Sequence, residues 1–142
     1  MIHGIDTSFL VAVEASSHQD HAACRNRLRR LLKAEDTFAL TSQVLAEFIH
    51  IVTDPKRFAS PLAMAQAVER AEAWWNASEV VRVYPTAEST LLFLNWLAEH
   101  QLGRKRLRDT LLASTLRGGG VTSLLTLNRD DFTVFGGFDF PP

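Results

Sequence analysis

Carboxylate side chains recur at four comparable places in this sequence, and they are the residues whose types could do chemistry. Several carboxylates without a histidine or cysteine partner favour a hard divalent cation such as Mg²⁺ or Mn²⁺, which prefers oxygen ligands. Such an ion activates water and stabilises charge on a phosphoryl oxygen. Without a metal, the acids would repel one another at close range. The positions are Asp6, Glu47, Asp109 and the pair Asp130 and Asp131.

Asp6 is the first of these acids, and its surroundings predict a strand end. It ends the segment 2–6, whose pattern predicts a buried strand, and it precedes the hydroxyl pair Thr7 and Ser8. We expect Thr7 or Ser8 to cap the helix that follows. In open α/β sheets, ligands bind outside the carboxyl ends of strands, so chemistry is expected at Asp6. The alternative is that Asp6 only caps the helix.

The other acids also have two interpretations each. Glu47 lies in a segment that is apolar on nearly every side, where a carboxylate is unfavourable unless it is paired or bound to a metal. It could instead point to solvent beside Gln43 and His50. Asp109 could interact favourably with the helix dipole in the first turn of a helix, or its side chain could turn inward on an apolar face. The pair 130–131 could be a simple turn.

Strands and helices alternate along the whole chain, which predicts an α/β fold with a mainly parallel sheet of four to five strands flanked by helices on both faces. A helix is expected to open at Ser60-Pro61, with proline at its first position. Residues 128–131 are predicted as a turn and residues 132–135 as a short edge strand. Predicted strands cover residues 2–6, 37–40, 79–84 and 121–125; predicted helices cover residues 8–15, 20–33, 43–53, 60–76, 86–102 and 107–117.

Length and composition indicate one domain over residues 1–142, with 46% hydrophobic and 22% charged residues. No window approaches about 18 uninterrupted apolar residues, so no membrane-spanning helix is expected. The N-terminus lacks a basic region followed by an apolar signal core, so we expect a cytoplasmic protein. Cys24 is the only cysteine, which excludes an internal disulfide. The His18-x-x-His21 spacing does not indicate a zinc site.

The formal net charge of -1 argues weakly against broad nucleic-acid binding. The basic residues are nevertheless clustered. A cluster within residues 25–33 is interpreted as a solvated helix face. The cluster Arg104, Lys105, Arg106 and Arg108 directly precedes Asp109, which favours a role in steering a phosphate group.

The sequence resembles the PIN-domain family, and most closely the VapC-type toxins of bacterial toxin–antitoxin pairs. The similarity covers essentially the whole chain, and its fragments occur in the expected order. Each fragment is weak alone, but four of them in order on an alternating α/β chain are fairly specific. The matching fragments are Ile5-Asp6-Thr7-Ser8, Ala46-Glu47, Asp109-Thr110-Leu111-Leu112-Ala113 and Thr126-Leu127-Asn128-Arg129-Asp130-Asp131-Phe132.

The resemblance implies a PIN-like fold and a ribonuclease that hydrolyses phosphodiester bonds with Mg²⁺ or Mn²⁺. It implies that Asp6, Glu47 and Asp109 are the core acids of the metal site and that Asp131 is the fourth. Asn128 stands where some relatives carry an acid, so Asp131, Asn128 or Asp130 could complete the site. Thr7 and Thr126 are expected to hydrogen-bond ligands or water at the metal. The basic turn 104–108 would help to stabilise the charge that develops on the phosphate.

The resemblance also implies RNA as substrate, a cognate antitoxin protein as partner and a homodimer. Trp74, Trp75 and Trp96 could anchor an interface, although at least one is expected to belong to the core. One alternative is a catalytically silent PIN-like module whose acidic pocket holds a partner's arginines. A second alternative, a phosphoacceptor domain, would need a lysine near the end of a late strand, where this sequence has Arg129 instead.

Overall fold

Short strands alternate with helices along the chain, and the computed structural model describes every residue from 1 to 142. The strands are β1 (Ile2–Ile5), β2 (Thr37–Leu40), β3 (Val80–Arg82) and β4 (Leu124–Leu125). The helices are α1 (Thr7–Glu14), α2 (His21–Lys33), α3 (Ser42–Val52), α4 (Met64–Trp75), α5 (Ala87–Glu99), α6 (Leu107–Gly118) and α7 (Asp130–Thr133). A 3₁₀ turn, Arg104–Arg106, leads into α6. No helix combines the length and the apolar character that crossing a bilayer would require.

The four strands form one parallel sheet in the order β3-β2-β1-β4. The interior strand β1 pairs with β2 on one side and with β4 on the other. His3, Gly4 and Ile5 are all buried, although successive side chains of a strand point to opposite faces. Both faces of β1 are therefore covered, as is usual for a parallel sheet. The predicted α/β fold with a mainly parallel sheet is confirmed.

The strand order creates a topological switch point between β1 and β4. The chain runs outward from β1 to β2 and β3, and then returns to the opposite side of β1 to form β4. Connections diverge at such a point and leave a crevice outside the carboxyl ends of the strands. Asp6 directly follows β1 and Thr126 directly follows β4, so the fold brings residues 120 positions apart to the same crevice.

A continuous apolar core fixes the helix that carries Glu47. Val44, Phe48 and Val52 are the buried residues of α3, and their spacing of four places them on one stripe of the helix. They belong to the same core cluster as Phe38 of β2. The rotation of α3 is set by this stripe, which leaves Glu47 only partly buried beside it.

The predicted start of the fourth helix is wrong, because α4 begins at Met64 rather than at residue 60. The segment before it folds back onto the end of α3: Leu62 packs against the core, and its N–H donates to the carbonyl of Val52 at 2.9 Å. Gln66 then accepts the N–H of Ala63 at 3.0 Å and closes the helix start. These contacts hold the chain extended through Pro61, which therefore lies outside the helix.

The predicted edge strand at 132–135 is also wrong, because residues 130–133 form the short helix α7. The predicted turn at 128–131 leads into this helix, and the N–H of Asp131 donates to the carbonyl of Asn128 at 3.1 Å. Phe132 is fully buried, and its ring lies 6.4 Å from that of Phe135. Their spacing of three residues suits one face of a helix, whereas alternation would suit a strand. The outer edge of β4 is met instead by Asp139, which forms an isolated parallel bridge with Ser123.

Candidate active site

Asp6 places its carboxylate in the crevice where β1 ends, and the residue is only 7% exposed. Its Oδ1 accepts the backbone N–H of Thr7 at 2.8 Å, which makes Asp6 the N-cap of α1. Its Oδ2 accepts the hydroxyls of Ser8 at 2.9 Å and Thr126 at 2.7 Å. The expectation that Thr7 or Ser8 caps α1 is wrong, because the helix already begins at Thr7. Asp6 therefore caps the helix and faces the crevice at once.

Glu47 reaches the same crevice from α3, and both of its carboxylate oxygens accept hydrogen bonds. The hydroxyl of Thr7 donates to Oε2 at 2.9 Å, and Nε2 of Gln43 donates to Oε1 at 3.1 Å. Because Thr7 also gives its backbone N–H to Asp6, one residue ties the two acids together. The geometry places Glu47 toward the crevice, and of the two sequence-based interpretations it fits the inward one.

Asp109 lies in the first turn of α6, where its side chain is 29% exposed. The nearest cation is Arg106, whose Nε lies 3.6 Å from Oδ2 of Asp109. The same guanidinium donates to the backbone carbonyl of Asp131 in α7. Arg106 thus links the helix that carries Asp109 to the segment that carries Asp131.

Burial and mutual repulsion raise the pKa values of two of these acids. Burial is the main cause that raises the pKa of Asp6 above its ordinary value, while hydrogen bonds from Thr126, Ser8 and Thr7 oppose the rise. Burial, followed by the charges of Asp6 and Asp131, raises the pKa of Asp109 to about 6, against the opposing effect of Arg106. Uncompensated negative charge therefore accumulates where these acids meet.

A single polar cleft of about 560 Å³ contains Asp6, Glu47 and Asp109 in its lining, together with Asn128. Of the three candidates for a fourth acid position, only Asn128 lines this cleft. Asp131 lies outside the lining but close enough for its charge to act on Asp109. Asp130 is exposed on α7. The structure thus brings Asp6, Glu47 and Asp109 together in one cleft, whereas Asp131 lies outside its lining.

A family model described as the PIN domain matches residues 5–137. The chain belongs to the PIN domain family. The match includes the last residue of β1, all the other strands, every helix and every candidate acid. The resemblance predicted from the sequence is confirmed.

Curated relatives and solved structures with similar folds are VapC proteins. The VapC ribonuclease Mb2897 of Mycobacterium bovis is 29% identical over 69% of this chain, and the alignment spans 63% of that relative's length. Ribonuclease VapC31 of Mycobacterium tuberculosis is 25% identical over 89% of this chain and 88% of its own. VapC20 of Mycobacterium tuberculosis, a sarcin–ricin loop cleaving toxin, superposes with a TM-score of 0.73 at 20% identity over the full length of both chains. VapBC2 of Rickettsia felis, bound to a promoter DNA fragment, gives 0.68 at 20% identity over 99% of this chain and 98% of its own.

The donor chemistry of this PIN domain fits a hard divalent ion. The cleft gathers carboxylate and hydroxyl oxygens, which Mg²⁺ and Mn²⁺ prefer, and Arg57 is the only lysine or arginine in its lining. The pKa values of Asp6 and Asp109 are both raised, and a bound cation near these two acids would lower both. No group of three or more histidine, cysteine, aspartate or glutamate side chains is arranged so that it could hold a metal ion as it stands.

Contacts that Ser8, Gln43 and Arg106 of this PIN domain make with the acids or with the turn beside them were not predicted from the sequence. Ser8 binds both Asp6 and the backbone N–H of Leu127, at 2.9 and 3.0 Å. Gln43 and Arg106 stand four and three residues before the acids that they contact, which is the spacing of neighbours on a helix. That spacing is the only signal in the sequence that could have identified them. Thr7 and Thr126, which the sequence did suggest as supports, donate to Glu47 and Asp6.

Proposed function

We propose that this PIN domain, residues 1–142, is a metal-dependent endoribonuclease of the VapC toxin type that hydrolyses RNA phosphodiester bonds. The observation that carries the proposal is the meeting of Asp6, Glu47 and Asp109 in one polar cleft at the switch point of the sheet. The curated relatives named above are ribonucleases, which supports the reaction class. The polar lining of the cleft suits a phosphodiester better than an apolar ligand.

Mg²⁺ or Mn²⁺ is the proposed cofactor, held by Asp6, Glu47 and Asp109 with Asp131 as the fourth acid. When bound, the ion would supply activation of water and neutralise the charge that develops on the phosphate. Asn128 is the alternative at the fourth position, since it lines the cleft directly, and Asp130 is the third candidate. An amide oxygen at this position would be a weaker ligand than a carboxylate, so the fourth position bears on how many ions bind.

The residues around these acids hold them in place for the reaction. Thr126 and Ser8 fix Oδ2 of Asp6, while Thr7 and Gln43 fix the two oxygens of Glu47. Side chains locked by such hydrogen bonds lose little freedom when they bind a ligand. Arg106, whose Nε lies 3.6 Å from Oδ2 of Asp109, would stabilise negative charge that develops beside this acid.

The proposed partners are a cognate antitoxin protein and a second copy of the chain, with the cytoplasm as the place of action. The similarity to VapBC2 of Rickettsia felis supports the antitoxin. Trp96 is buried and stacks on Phe135 with ring centroids 4.8 Å apart, so it belongs to the core. Trp74 and Trp75 are only partly buried on α4 and remain available to anchor an interface.

The test is cleavage of labelled RNA by purified protein after removal of metals, with Mn²⁺, Mg²⁺ or EDTA added back. We expect cleavage only with a divalent ion, and a loss of at least about 100-fold in D6N and D109N. D139N makes the same chemical change at an exposed aspartate outside the cleft and should retain full activity. Cleavage that persists in EDTA, or in folded D6N and D109N, would overturn the proposal.

The fourth position is tested in the same assay by comparing D131N with N128A. If Asp131 is the fourth ligand, D131N should need a higher Mn²⁺ concentration for half-maximal activity, whereas N128A should resemble the wild type. The reverse result would assign the position to Asn128. Unchanged metal dependence in both variants would contradict either assignment.

A further inference from the structure

The end of the cleft opposite the acids has a different chemistry from the acidic end. His18 and Gln19, between α1 and α2, and Arg57 and Phe58, between α3 and α4, line that end. The same four residues also line an adjoining hollow of about 490 Å³, so the two spaces meet at these side chains. A groove therefore leads from the acids to a cation, an aromatic ring, an imidazole and an amide, and Asp20 also lines the cleft but not the adjoining hollow.

The three polar side chains among these four, those of His18, Gln19 and Arg57, each have a polar group that is available to a ligand. Nδ1 of His18 accepts the backbone N–H of Asp20 at 3.0 Å, which leaves Nε2 for a ligand. The amide of Gln19 makes no hydrogen bond within the chain and is exposed. Arg57 is 58% exposed, and its only ion pair is a 3.6 Å contact with Asp54 at the surface, which is easily exchanged.

Both segments are held in place by their own backbone. In the second segment, the N–H groups of Arg57 and Phe58 donate to the carbonyl of Asp54 at 3.1 Å, and the carboxylate of Asp54 accepts the N–H of Lys56 at 2.9 Å. Phe58 also packs against the core, so only part of its ring is exposed to the groove. In the first segment, the backbone N–H of His18 donates to the carbonyl of Ala15 at 2.9 Å. A groove built on fixed turns needs little ordering when a ligand binds.

We propose that the residue pairs His18-Gln19 and Arg57-Phe58 form a binding subsite for the nucleotide next to the scissile phosphodiester of a single-stranded RNA. Arg57, the only lysine or arginine that lines the cleft, contacts the neighbouring phosphate. Phe58 stacks on the base, and His18 and Gln19 meet its hydrogen-bonding edge. The base must be unpaired, because side chains cannot reach the bases of an RNA duplex through its deep and narrow major groove.

The proposal rests on the proposed ribonuclease function, and it is tested with R57Q and F58L. F58L keeps an apolar side chain against the core but removes the aromatic face. R29Q, at an exposed arginine on α2, and F138L, at a partly buried phenylalanine near the C-terminus, are the matched controls. Circular dichroism and thermal melting establish that every variant is folded. The measurements are KM and kcat on a pool of single-stranded RNAs in Mn²⁺, and sequencing of the cut ends.

We expect F58L to raise KM by about 5- to 100-fold, as loss of one stacked base does, and to relax the nucleotide preference at one position beside the cut. R57Q should raise KM for all sequences alike and reduce the salt dependence by about one phosphate contact. The controls should leave KM and the cut pattern unchanged. If R57Q and F58L are folded and keep the wild-type KM and the wild-type cut ends, the proposal of a nucleotide subsite is wrong.

Failure of the proposed function gives a different result. If the wild-type protein cuts no RNA, the substrate stays intact, and fluorescence anisotropy in the same Mn²⁺ buffer measures binding directly. Binding that is weakened at least about fivefold by R57Q and F58L but not by R29Q and F138L would support the subsite in a protein without the activity. Equal binding by all of these proteins, or none by the wild type, would overturn it.

Discussion

At the scale of single residues, the raised pKa of Asp109 shows how the clustering of acids in the cleft affects stability. Its pKa is raised to about 6 from an ordinary 3.8, first by burial and then by the charges of Asp6 and Asp131. Between these two pH values the folded chain holds a proton that the unfolded chain releases. The free energy of unfolding therefore falls as the pH rises through this window, because the unfolded state then binds fewer protons than the folded state.

The consequence is that D109N should stabilise the protein at neutral pH. In metal-free buffer at about pH 7.5 we expect a gain of about 1–2 kcal/mol after allowance for solvent screening, measured by urea unfolding. The gain should shrink toward zero as the pH approaches about 4, where Asp109 is protonated in the folded wild type. D139N, at an exposed aspartate, should show no such pH-dependent gain. A D109N protein less stable than wild type at pH 7.5 would contradict this account of the charge.

The residues of the cleft differ in how far the sequence could identify them. Asp6, Glu47 and Asp109 stand out because apolar neighbours make a carboxylate unfavourable without a partner, and the structure places all three in one cleft. Gln43 and Arg106 have no such signal, since each acts through a bond whose partner is positioned by the fold. Asp131 was chosen by motif, and the cleft lining does not include it. Its metal-binding role stays a prediction.

At the scale of elements, Gln43 forms a joint between α3 and the start of α6. Its Nε2 donates to Oε1 of Glu47 and to the backbone carbonyl of Arg108, both at 3.1 Å. One amide thus orients the acid on α3 and holds the turn that presents Asp109. This contact links the two helices that carry Glu47 and Asp109.

Replacing this amide should lower activity more than stability. We expect Q43L to lower kcat by about 10-fold, because Glu47 loses one of the two bonds that orient it, and to lower the free energy of unfolding by about 0.5–1.5 kcal/mol. S42A changes the exposed neighbouring residue of the same turn and should be nearly neutral. Unfolding in urea and RNA cleavage in Mn²⁺ measure the two effects. A wild-type kcat in Q43L would show that Glu47 needs no such support.

The secondary structure could be predicted wherever a segment's own pattern decides it. The buried stripe of α3 and the β-branched residues of β3 gave the right element types. α7 was missed because residues 132–135 were interpreted as a short edge strand, whereas Phe132 and Phe135 are buried in a core that other elements build. The start of α4 was misplaced because the return of Leu62 onto α3 is a tertiary contact. Element ends thus depend on partners that the local sequence does not contain.

At the scale of the whole molecule, the decisive feature is the place of β1 between β2 and β4. Alternating strands and helices predict a parallel sheet, but they do not fix the strand order, which depends on pairings between residues far apart in the chain. The observed order puts Asp6 beside Thr126, and this pairing creates the crevice. The third acid of the cleft, Asp109, lies on α6. The site therefore also depends on how closely α6 packs against β1.

Gly4 sets that packing distance, so G4A tests the whole arrangement. An added Cβ would lie 2.6 Å from Cδ1 of Leu116 on α6 and 3.2 Å from a methyl group of Leu124, so the fully buried side chain of Leu116, or α6 itself, must shift. We expect a loss of about 1–3 kcal/mol in urea unfolding and a fall in cleavage, since a shift of α6 displaces Asp109 as well. At Gly103 an added Cβ meets nothing within 4 Å, so G103A should be neutral or stabilising by up to about 1 kcal/mol. If G4A matched G103A in both measurements, the close approach of α6 to β1 would not be what holds Asp109 at the cleft.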